Sequence, residues 1–390
     1  MKQEIEAFFS GLTGQGLIEG RLTVGRRVFS YRPNSPQKKK SRWLTRVALL
    51  LLSLAIALLG VLFLSHRLPW PAGRPAAAGP TAGGETSLPA PLRAEMRRLR
   101  GEPTADEMVL SPLAWAKADS VRVNAQGFLE IEFPDRLTLV YIPAGPFPMG
   151  SADGNQDETP AREVTLDGFW LQKTETTRAQ YARFCSETGR PLPEGAGGER
   201  EDAPVVGITR ADAERFCLWL SQRVGHPCHL PSEAQWEKGA RGTDRRIYPW
   251  GNDPVDGTRA NFADRREFEE EGDPWADRAT DDGFAKRAPV GSFPKGASPY
   301  GLLDMAGNVM EMVADAYVAD FYRTAPAANP LATAGQGEFV LRGGGWGSTA
   351  DTLRSSCRGH TDMRSQDRSP HRGFRVAMTV LPSTTGGGIP

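Results

Sequence analysis

The feature that most limits what this chain can fold into is a run of nineteen residues without a charge, VALLLLSLAIALLGVLFLS, at 47–65. A helix of about 20 apolar residues crosses the roughly 30 Å hydrocarbon core of a bilayer. A surface helix of a globular domain has a polar stripe, whereas this run is apolar on every face. The sequence therefore predicts a single transmembrane helix at 47–65, and the membrane is the first expected partner.

Basic residues are distributed unequally around this segment. Residues 27–46 contain Arg27, Arg32, Lys38, Lys39, Lys40, Arg42 and Arg46, whereas residues 66–85 contain only Arg67 and Arg74. Basic flanks stay in the cytoplasm, so we expect residues 1–46 to be a basic cytoplasmic tail. The C-terminal part would lie outside, in the periplasm of a Gram-negative cell. A signal peptide cleaved near RPAAAGP is the alternative, but 46 residues far exceed a usual n-region, which favours an uncleaved signal anchor.

Composition divides the rest of the chain into a linker, an extension, a domain and a tail. Residues 66–91 are a Pro/Ala/Gly linker, and 92–135 are an N-terminal extension with the strand-like piece GFLEIEF. From 136 to 380 short strands and capped helices mix in one loop-rich α+β domain, and 381–390 form a flexible tail. Lys and Arg total 47 and Asp and Glu total 47, so no excess of positive charge indicates a nucleic-acid partner.

Three helices of this domain have capping boxes at their first turns. The pairs are Thr177 with Gln180, Thr209 with Asp212, and Ser232 with Gln235. The four cysteines, Cys185, Cys217, Cys228 and Cys357, follow the membrane segment. An oxidising compartment permits one or two disulfides, and the sequence does not choose among three full pairings.

Six strings in a fixed order carry a family resemblance. They are IPAGPFPMGS (142–151), LPSEAQWEKGARG (230–242), YPWGND (248–253), GLLDMAGNVMEM (301–312), LRGGGW (341–346) and RGFRVAM (372–378). Together they resemble the formylglycine-generating enzyme family, also called sulfatase-modifying factors. The resemblance implies a variant of the C-type lectin fold. The family includes copper oxidases, iron-dependent sulfoxide synthases, siderophore-maturation proteins and domains that only bind, so membership alone does not determine function.

The resemblance also implies structural calcium. One ion would be held by the side chains of Asp304 and Glu311 and the carbonyls of Gly307 and Val309. A second would be held by Asn261, the carbonyl of Phe262, Asp282 and the carbonyl of Phe284. All the side-chain oxygens are present, and such mixed oxygen sets suit Ca²⁺. Without the family resemblance, the spacing of Asp304 and Glu311 is more typical of a solvated loop than of a metal site. The acidic run EFEEEGD (267–273) between the ligands of the second set is interpreted as a solvated insertion.

The copper site of the family is missing from this sequence. Relatives hold Cu(I) between two thiolates, since a soft ion prefers soft sulfur ligands. The corresponding positions are Ser348 and Leu353, or Thr352 if one residue is gapped, and none of these carries sulfur. The five histidines show no H-x₃-H spacing for an iron site. Copper is therefore not expected, and the sequence identifies no catalytic residue.

Two functions remain open at this point. The first is a membrane-anchored, calcium-stabilised binding or accessory module with an unidentified protein or small-molecule ligand. The second is an oxidoreductase of the same family that acts on a protein cysteine or a secondary metabolite through residues that the sequence does not reveal. The missing thiolates favour the first.

Overall fold

The computed structural model describes residues 20–24, 27–31, 117–193, 200–335, 337–362 and 368–379. The predicted membrane segment 47–65, the linker 66–91 and the tail 381–390 lie outside these ranges. Within the described ranges no helix is long and apolar enough to cross a bilayer. In the basic N-terminal segment, strands β1 (Gly20–Val24) and β2 (Arg27–Tyr31) pair with each other.

The main sheet has six strands in the order β3-β4-β5-β8-β14-β9. Their bounds are β3 Ser120–Val123, β4 Leu129–Phe133, β5 Leu137–Ile142, β8 Phe169–Gln172, β9 Cys228–His229 and β14 Ala377–Met378. The first two strands come from the sequence assigned to the N-terminal extension, and Ile131 of β4 lies opposite Leu139 of β5. The second half of the extension is therefore an integral edge of the domain's sheet.

A four-stranded sheet, in the order β12-β11-β10-β13, brings distant motifs together. Its strands are β10 Met310–Ala316, β11 Glu338–Arg342, β12 Gly359–Asp362 and β13 Arg372–Gly373. Glu311 pairs with Arg342 in the antiparallel partner and with Gly373 in the parallel one. Three of the six strings thus meet at Glu311. A separate hairpin joins β6 (Gly145–Met149) to β7 (Arg162–Leu166).

The helices are α1 Arg178–Thr188, α2 Arg210–Val224, α3 Glu233–Arg241, α4 Arg265–Glu271 and α5 Phe321–Thr324. All three predicted capping boxes are present, with Thr177, Thr209 and Ser232 accepting from the third backbone N–H of α1, α2 and α3. Two features differ from what the sequence suggested. Helix α4 forms within the acidic run that was interpreted as a solvated insertion. All four cysteines, for which one or two disulfides were possible, are buried free thiols.

The core lies on both faces of the main sheet. Because successive side chains of a strand point to opposite faces, β5 contributes to two clusters. Leu137 and Leu139 pack with the apolar residues of α1 and α2, whereas Val140 and Ile142 pack with those of α3. The second cluster also contains Leu302 and Met305 from the segment before β10, where the first predicted calcium set begins.

Candidate functional site

The first predicted calcium set lies in the turn before β10 and, with Glu311, in the first residues of that strand. Asp304 is buried with φ 56°, its Oδ2 accepts from the Gly291 N–H at 2.6 Å, and its carboxylate also shares a side-chain hydrogen bond with Glu175. Glu311 is also buried, but both its oxygens are engaged by Arg375, at 2.7 Å from Nη2 and 2.7 Å from Nε. Trp236 Nε1 donates to the same carboxylate at 2.8 Å. A carboxylate accepts about four hydrogen bonds, so Glu311 retains capacity for a cation.

A third carboxylate, Glu175, lies beside this set, and the sequence analysis missed it. Its Oε1 accepts from Asn308 Nδ2 at 3.0 Å, and its carboxyl is hydrogen-bonded to that of Asp304. Burial, with the nearby charges of Asp304 and Glu311, raises the pKa of Glu175 well above its ordinary value. Three acids thus surround the single guanidinium of Arg375. No motif or spacing marked Glu175, because its contacts are made with residues more than a hundred positions away.

The second predicted set also converges. Asp282 accepts from two backbone N–H groups, Phe262 at 3.0 Å and Phe284 at 2.8 Å. Asn261 donates through Nδ2 to the carbonyl of Lys286, while its buried Oδ1 has no partner. Burial raises the pKa of Asp282 to about 7. The structure therefore brings together all four residues named for this set.

The Gly307–Asn308 turn links the two sets. Asn308, at φ 62°, donates its N–H to the carbonyl of Asn261 at 2.8 Å and its Nδ2 to Glu175. Gly307 has φ 83°, and a Cβ at this position would collide with the carbonyl of Asn261. This close backbone approach requires glycine and places both sets on one rigid support.

Both sets combine side-chain oxygens with nearby backbone carbonyls, which is the kind of ligand set that suits Ca²⁺. Across the described ranges, no group of three or more His, Cys, Asp and Glu side chains is arranged to hold a metal ion. In the second set Asn261 Oδ1 is a buried oxygen without a donor, whereas in the first set Asp304 shares a side-chain hydrogen bond with the carboxyl of Glu175. Buried polar atoms usually have a partner, and a hard cation held jointly with backbone carbonyls would supply one.

The copper positions of relatives lie together but carry no sulfur. A methyl group built on Gly344 would meet Leu353 Cδ2 at 2.5 Å and Ser348 Cβ at 3.3 Å, so both side chains flank this glycine. Ser348 Oγ closes the local turn by accepting the Gly345 N–H at 2.9 Å. Leu353 is completely buried beside Phe262 and Ala306. Ser348 therefore stabilises a turn, and Leu353 fills a small apolar core.

Cys357 is positioned as a structural thiol. Its carbonyl accepts from the buried Arg342 at 2.9 Å, within an ionic cluster in which Arg342 also contacts Glu237 at 2.6 Å. Its Sγ lies 3.9 Å from Asn155 Nδ2, and burial raises the pKa of the thiol. A buried thiol with a raised pKa is a poor nucleophile and a poor metal ligand.

Fold and site together define an α+β domain of the formylglycine-generating type with an altered copper position. Residues 132–380 match the family described as sulfatase-modifying factor enzyme 1-like domain. The chain therefore belongs to the sulfatase-modifying factor family, which confirms the resemblance seen in the six strings.

Proteins similar to this chain include one that is named as an enzyme and one that is named as inactive. The chain is 28% identical to mouse formylglycine-generating enzyme, over 69% of this chain and 83% of that protein. It is 30% identical to mouse inactive C-alpha-formylglycine-generating enzyme 2, over 62% of this chain and 86% of that protein. Among solved structures, PvdO from Pseudomonas aeruginosa matches with TM-score 0.55 and 26% identity, covering 64% of this chain and 97% of PvdO.

A longer bacterial protein shares the same region. The chain is 33% identical to serine/threonine-protein kinase Pkn1 of Chlamydia trachomatis, over 62% of this chain but only 38% of the kinase. The chain thus spans little more than a third of that relative. The kinase name describes the Chlamydia protein as a whole.

Proposed function

We propose that this protein is a membrane-anchored, extracytoplasmic module of the sulfatase-modifying factor family that binds a ligand or partner and does not generate formylglycine. The main support for this proposal is that Ser348 and Leu353, which flank Gly344, stand at the positions of the family's copper thiolates. A serine hydroxyl is a hard donor that stays protonated near neutral pH, and leucine has no donor. A relative named inactive supports the view that the family's domain can persist without this activity.

Calcium would stabilise this module without taking part in catalysis. Asp304 and Glu311, with the carbonyls of Gly307 and Val309, would hold one ion. Asn261 and Asp282, with the carbonyls of Phe262 and Phe284, would hold the other. The unpartnered Oδ1 of Asn261 and the excess of buried carboxylates over guanidinium groups around Glu311 support this assignment.

The missing oxidase activity is directly testable. The detergent-purified chain would be loaded with Cu(I) and incubated under oxygen with a peptide that contains the sulfatase-type Cys-x-Pro-x-Arg sequence. We expect no aldehyde in the peptide's mass spectrum, and we expect Cys357→Ser to alter only stability. Conversion of the peptide cysteine, abolished by Cys357→Ser, would instead establish the oxidoreductase function and make Cys357 a ligand.

Membrane topology is tested with reporter fusions after residue 80. The basic asymmetry around 47–65 predicts that alkaline phosphatase fused there is exported and active, whereas a fluorescent protein that folds only in the cytoplasm is dark. The opposite pair of results would place the domain in the cytoplasm. A neutral variant in which Lys38, Lys39 and Lys40 are replaced by glutamine should lower phosphatase activity, because the orientation signal is weakened.

A further inference from the structure

A cavity of about 330 Å³ lies beside β9, which is an edge strand of the main sheet. We call it the β9 cavity. Apolar side chains form much of its wall, among them Leu166, Phe169, Pro330 and Leu331. The polar residues of the wall include His229, Gln235 and Thr379. A concave apolar site with a few polar groups is the usual form of a small-molecule site, and this one is at the small end of the range.

Two of the polar residues in this wall are hydrogen-bonded to each other. His229 lies in β9 and Thr379 directly follows β14, and His229 Nε2 is 2.9 Å from Thr379 Oγ1. The other ring nitrogen, Nδ1, is 2.8 Å from the carbonyl oxygen of Leu230. A carbonyl oxygen only accepts, so in the neutral ring Nδ1 carries the proton and Nε2 accepts from the Thr379 hydroxyl. The contacts therefore select one tautomer, in which Nε2 is a base toward that hydroxyl.

This chain of three groups has the geometry that activates a hydroxyl nucleophile. In such sites a base is within hydrogen-bond reach of the hydroxyl, and a third group orients the base. Here Thr379 supplies the hydroxyl, His229 the base and the carbonyl of Leu230 the orienting acceptor. Thr379 and His229 are both half-buried and both line the cavity. A molecule in the cavity therefore lies against the hydroxyl and its base.

The side-chain pair is not needed to hold the two strands together. Strands β9 and β14 are already joined by antiparallel pairing of His229 with Ala377 and of Cys228 with Met378. The N–H of Thr379 also donates to the carbonyl of Pro227 at 3.0 Å. Because the backbone already fixes the strands, the bond from Thr379 to His229 mainly orients a hydroxyl group at the cavity wall.

Gln235 provides an amide donor in the same wall. Its Oε1 accepts the N–H of Ser232 at 2.9 Å, as part of the capping box of α3, and this bond holds the side chain in place. The Nε2 group of the same amide is left to donate to a carbonyl oxygen bound in the cavity. Donors of this kind stabilise the oxyanion formed in acyl transfer, and loss of one lowers the rate roughly 100- to 1,000-fold.

We propose that the β9 cavity is an acyl-transfer site that hydrolyses small carboxylic esters, with Thr379 as the nucleophile and His229 as its base. Thr379 Oγ1 bonds to the ester carbonyl carbon while its proton passes to His229 Nε2. The bond from that carbon to the alcohol oxygen then breaks, and the alcohol leaves with the proton. Water attacks the acyl-threonine in the same way, which releases the acid and restores the hydroxyl. This activity goes beyond the proposed binding function and uses no residue of the calcium sets or of the copper positions.

Hydrolysis would be measured with the detergent-purified, full-length chain and the p-nitrophenyl esters of acetate, butyrate and dodecanoate. We expect kcat/KM for the two short esters to exceed that for dodecanoate at least about tenfold, because the small cavity does not accommodate the long chain. Mass spectrometry of the chain quenched in acid during turnover should find one acyl group, and peptide mapping should place it on Thr379.

Variants of the pair localise the activity. Thr379→Val removes the hydroxyl at nearly constant size and His229→Gln removes the base, so each should lower kcat/KM at least about 100-fold. The double variant should be no slower than either single one, because the two side chains act as a unit. Thr379→Ser keeps a hydroxyl and should stay active. His360→Gln is the matched control, since it removes a 43% exposed imidazole that pairs with Glu338, and it should leave the rate unchanged.

Three results would overturn the proposal. Absence of hydrolysis for every ester would mean that the pair only orients a buried-edge hydroxyl. Hydrolysis that survives Thr379→Val and His229→Gln would belong to other nucleophiles on the surface. Hydrolysis without an acyl group on Thr379 in the wild-type chain, a result that does not depend on how the variants fold, would exclude threonine as the nucleophile. Each of these failures leaves the copper assay and the calcium shift unaffected, so the proposed function would stand.

Discussion

Arg375→Met is expected to be among the most damaging single substitutions in this protein. Arg375 is fully buried, makes two 2.7 Å hydrogen bonds with Glu311 and donates to the carbonyls of Gln172 and Leu303 at 3.0 Å. In the calcium-free protein, its loss would leave Glu175, Asp304 and Glu311 buried without a compensating charge. Breaking a buried ion pair on one side costs roughly 3–5 kcal/mol of unfolding free energy. For a domain of this size that corresponds to a melting temperature lower by roughly 6–20 °C.

Chemical denaturation of the variant and of a matched control would check this expectation. Arg200→Met removes the same type of side chain from an ion pair with Asp202, in which the two side chains are 69% and 52% exposed. Exposed pairs contribute at most about 1 kcal/mol, so this control should melt almost as the wild type does. Equal losses in both variants would show that the cluster around Glu311 does not depend on the buried guanidinium. Arg375→Lys should fall between them, since lysine keeps the charge but not the fork of donors.

Local features of the fold could be predicted from the sequence because their determinants are close along the chain. Thr177 and Gln180, three residues apart, contain both halves of a capping box, and the structure has both hydrogen bonds. The pairs Thr209 with Asp212 and Ser232 with Gln235 are confirmed in the same way. A capping box depends only on the local geometry of a helix terminus, so a short stretch of sequence is enough to predict it.

The calcium sets required knowledge of a family, because their geometry is long-range. Asp304 and Glu311 alone are typical of a solvated loop, but in the structure Glu311 lies in β10 between β11 and β13, and both carboxylates are buried. Glu175 reaches the same cluster from the loop before α1, 133 positions from its partner Asn308. Glu267 was interpreted as part of a solvated insertion, yet the capping of α4 by Asp264 turns it inward. Neither the periodicity of apolar residues nor the spacing of motifs predicts contacts between residues so far apart in the sequence.

Calcium removal is expected to lower the melting temperature substantially. An ion that binds only the native state stabilises it by about 2.7 kcal/mol when its free concentration is a hundred times its Kd. For this domain that predicts a shift of roughly 5–11 °C between excess calcium and chelator. Asp304→Ala and Asp282→Ala should each reduce the shift, and elemental analysis should show fewer ions per chain. Asp167→Ala, an exposed acid that pairs with Asn329 at 3.0 Å, is the control and should leave the shift intact.

The size of this calcium shift should depend on pH in a defined direction. In the ion-free protein, burial raises the pKa of Asp282 from 3.8 to about 7. A raised folded-state pKa gives stability that is fully present below pH 3.8 and is lost as the pH rises through about 7. Calcium needs the deprotonated carboxylate, so its contribution increases over the same window. The difference in melting temperature with and without calcium should therefore grow from pH 5 to pH 8. Titrating groups that do not contact calcium cancel in that difference, whereas Asp304, whose pKa is also raised by burial, adds a pH dependence of the same sign. A shift that stays constant across this range, or one that remains equally pH-dependent in Asp282→Asn, would show that Asp282 is not a ligand.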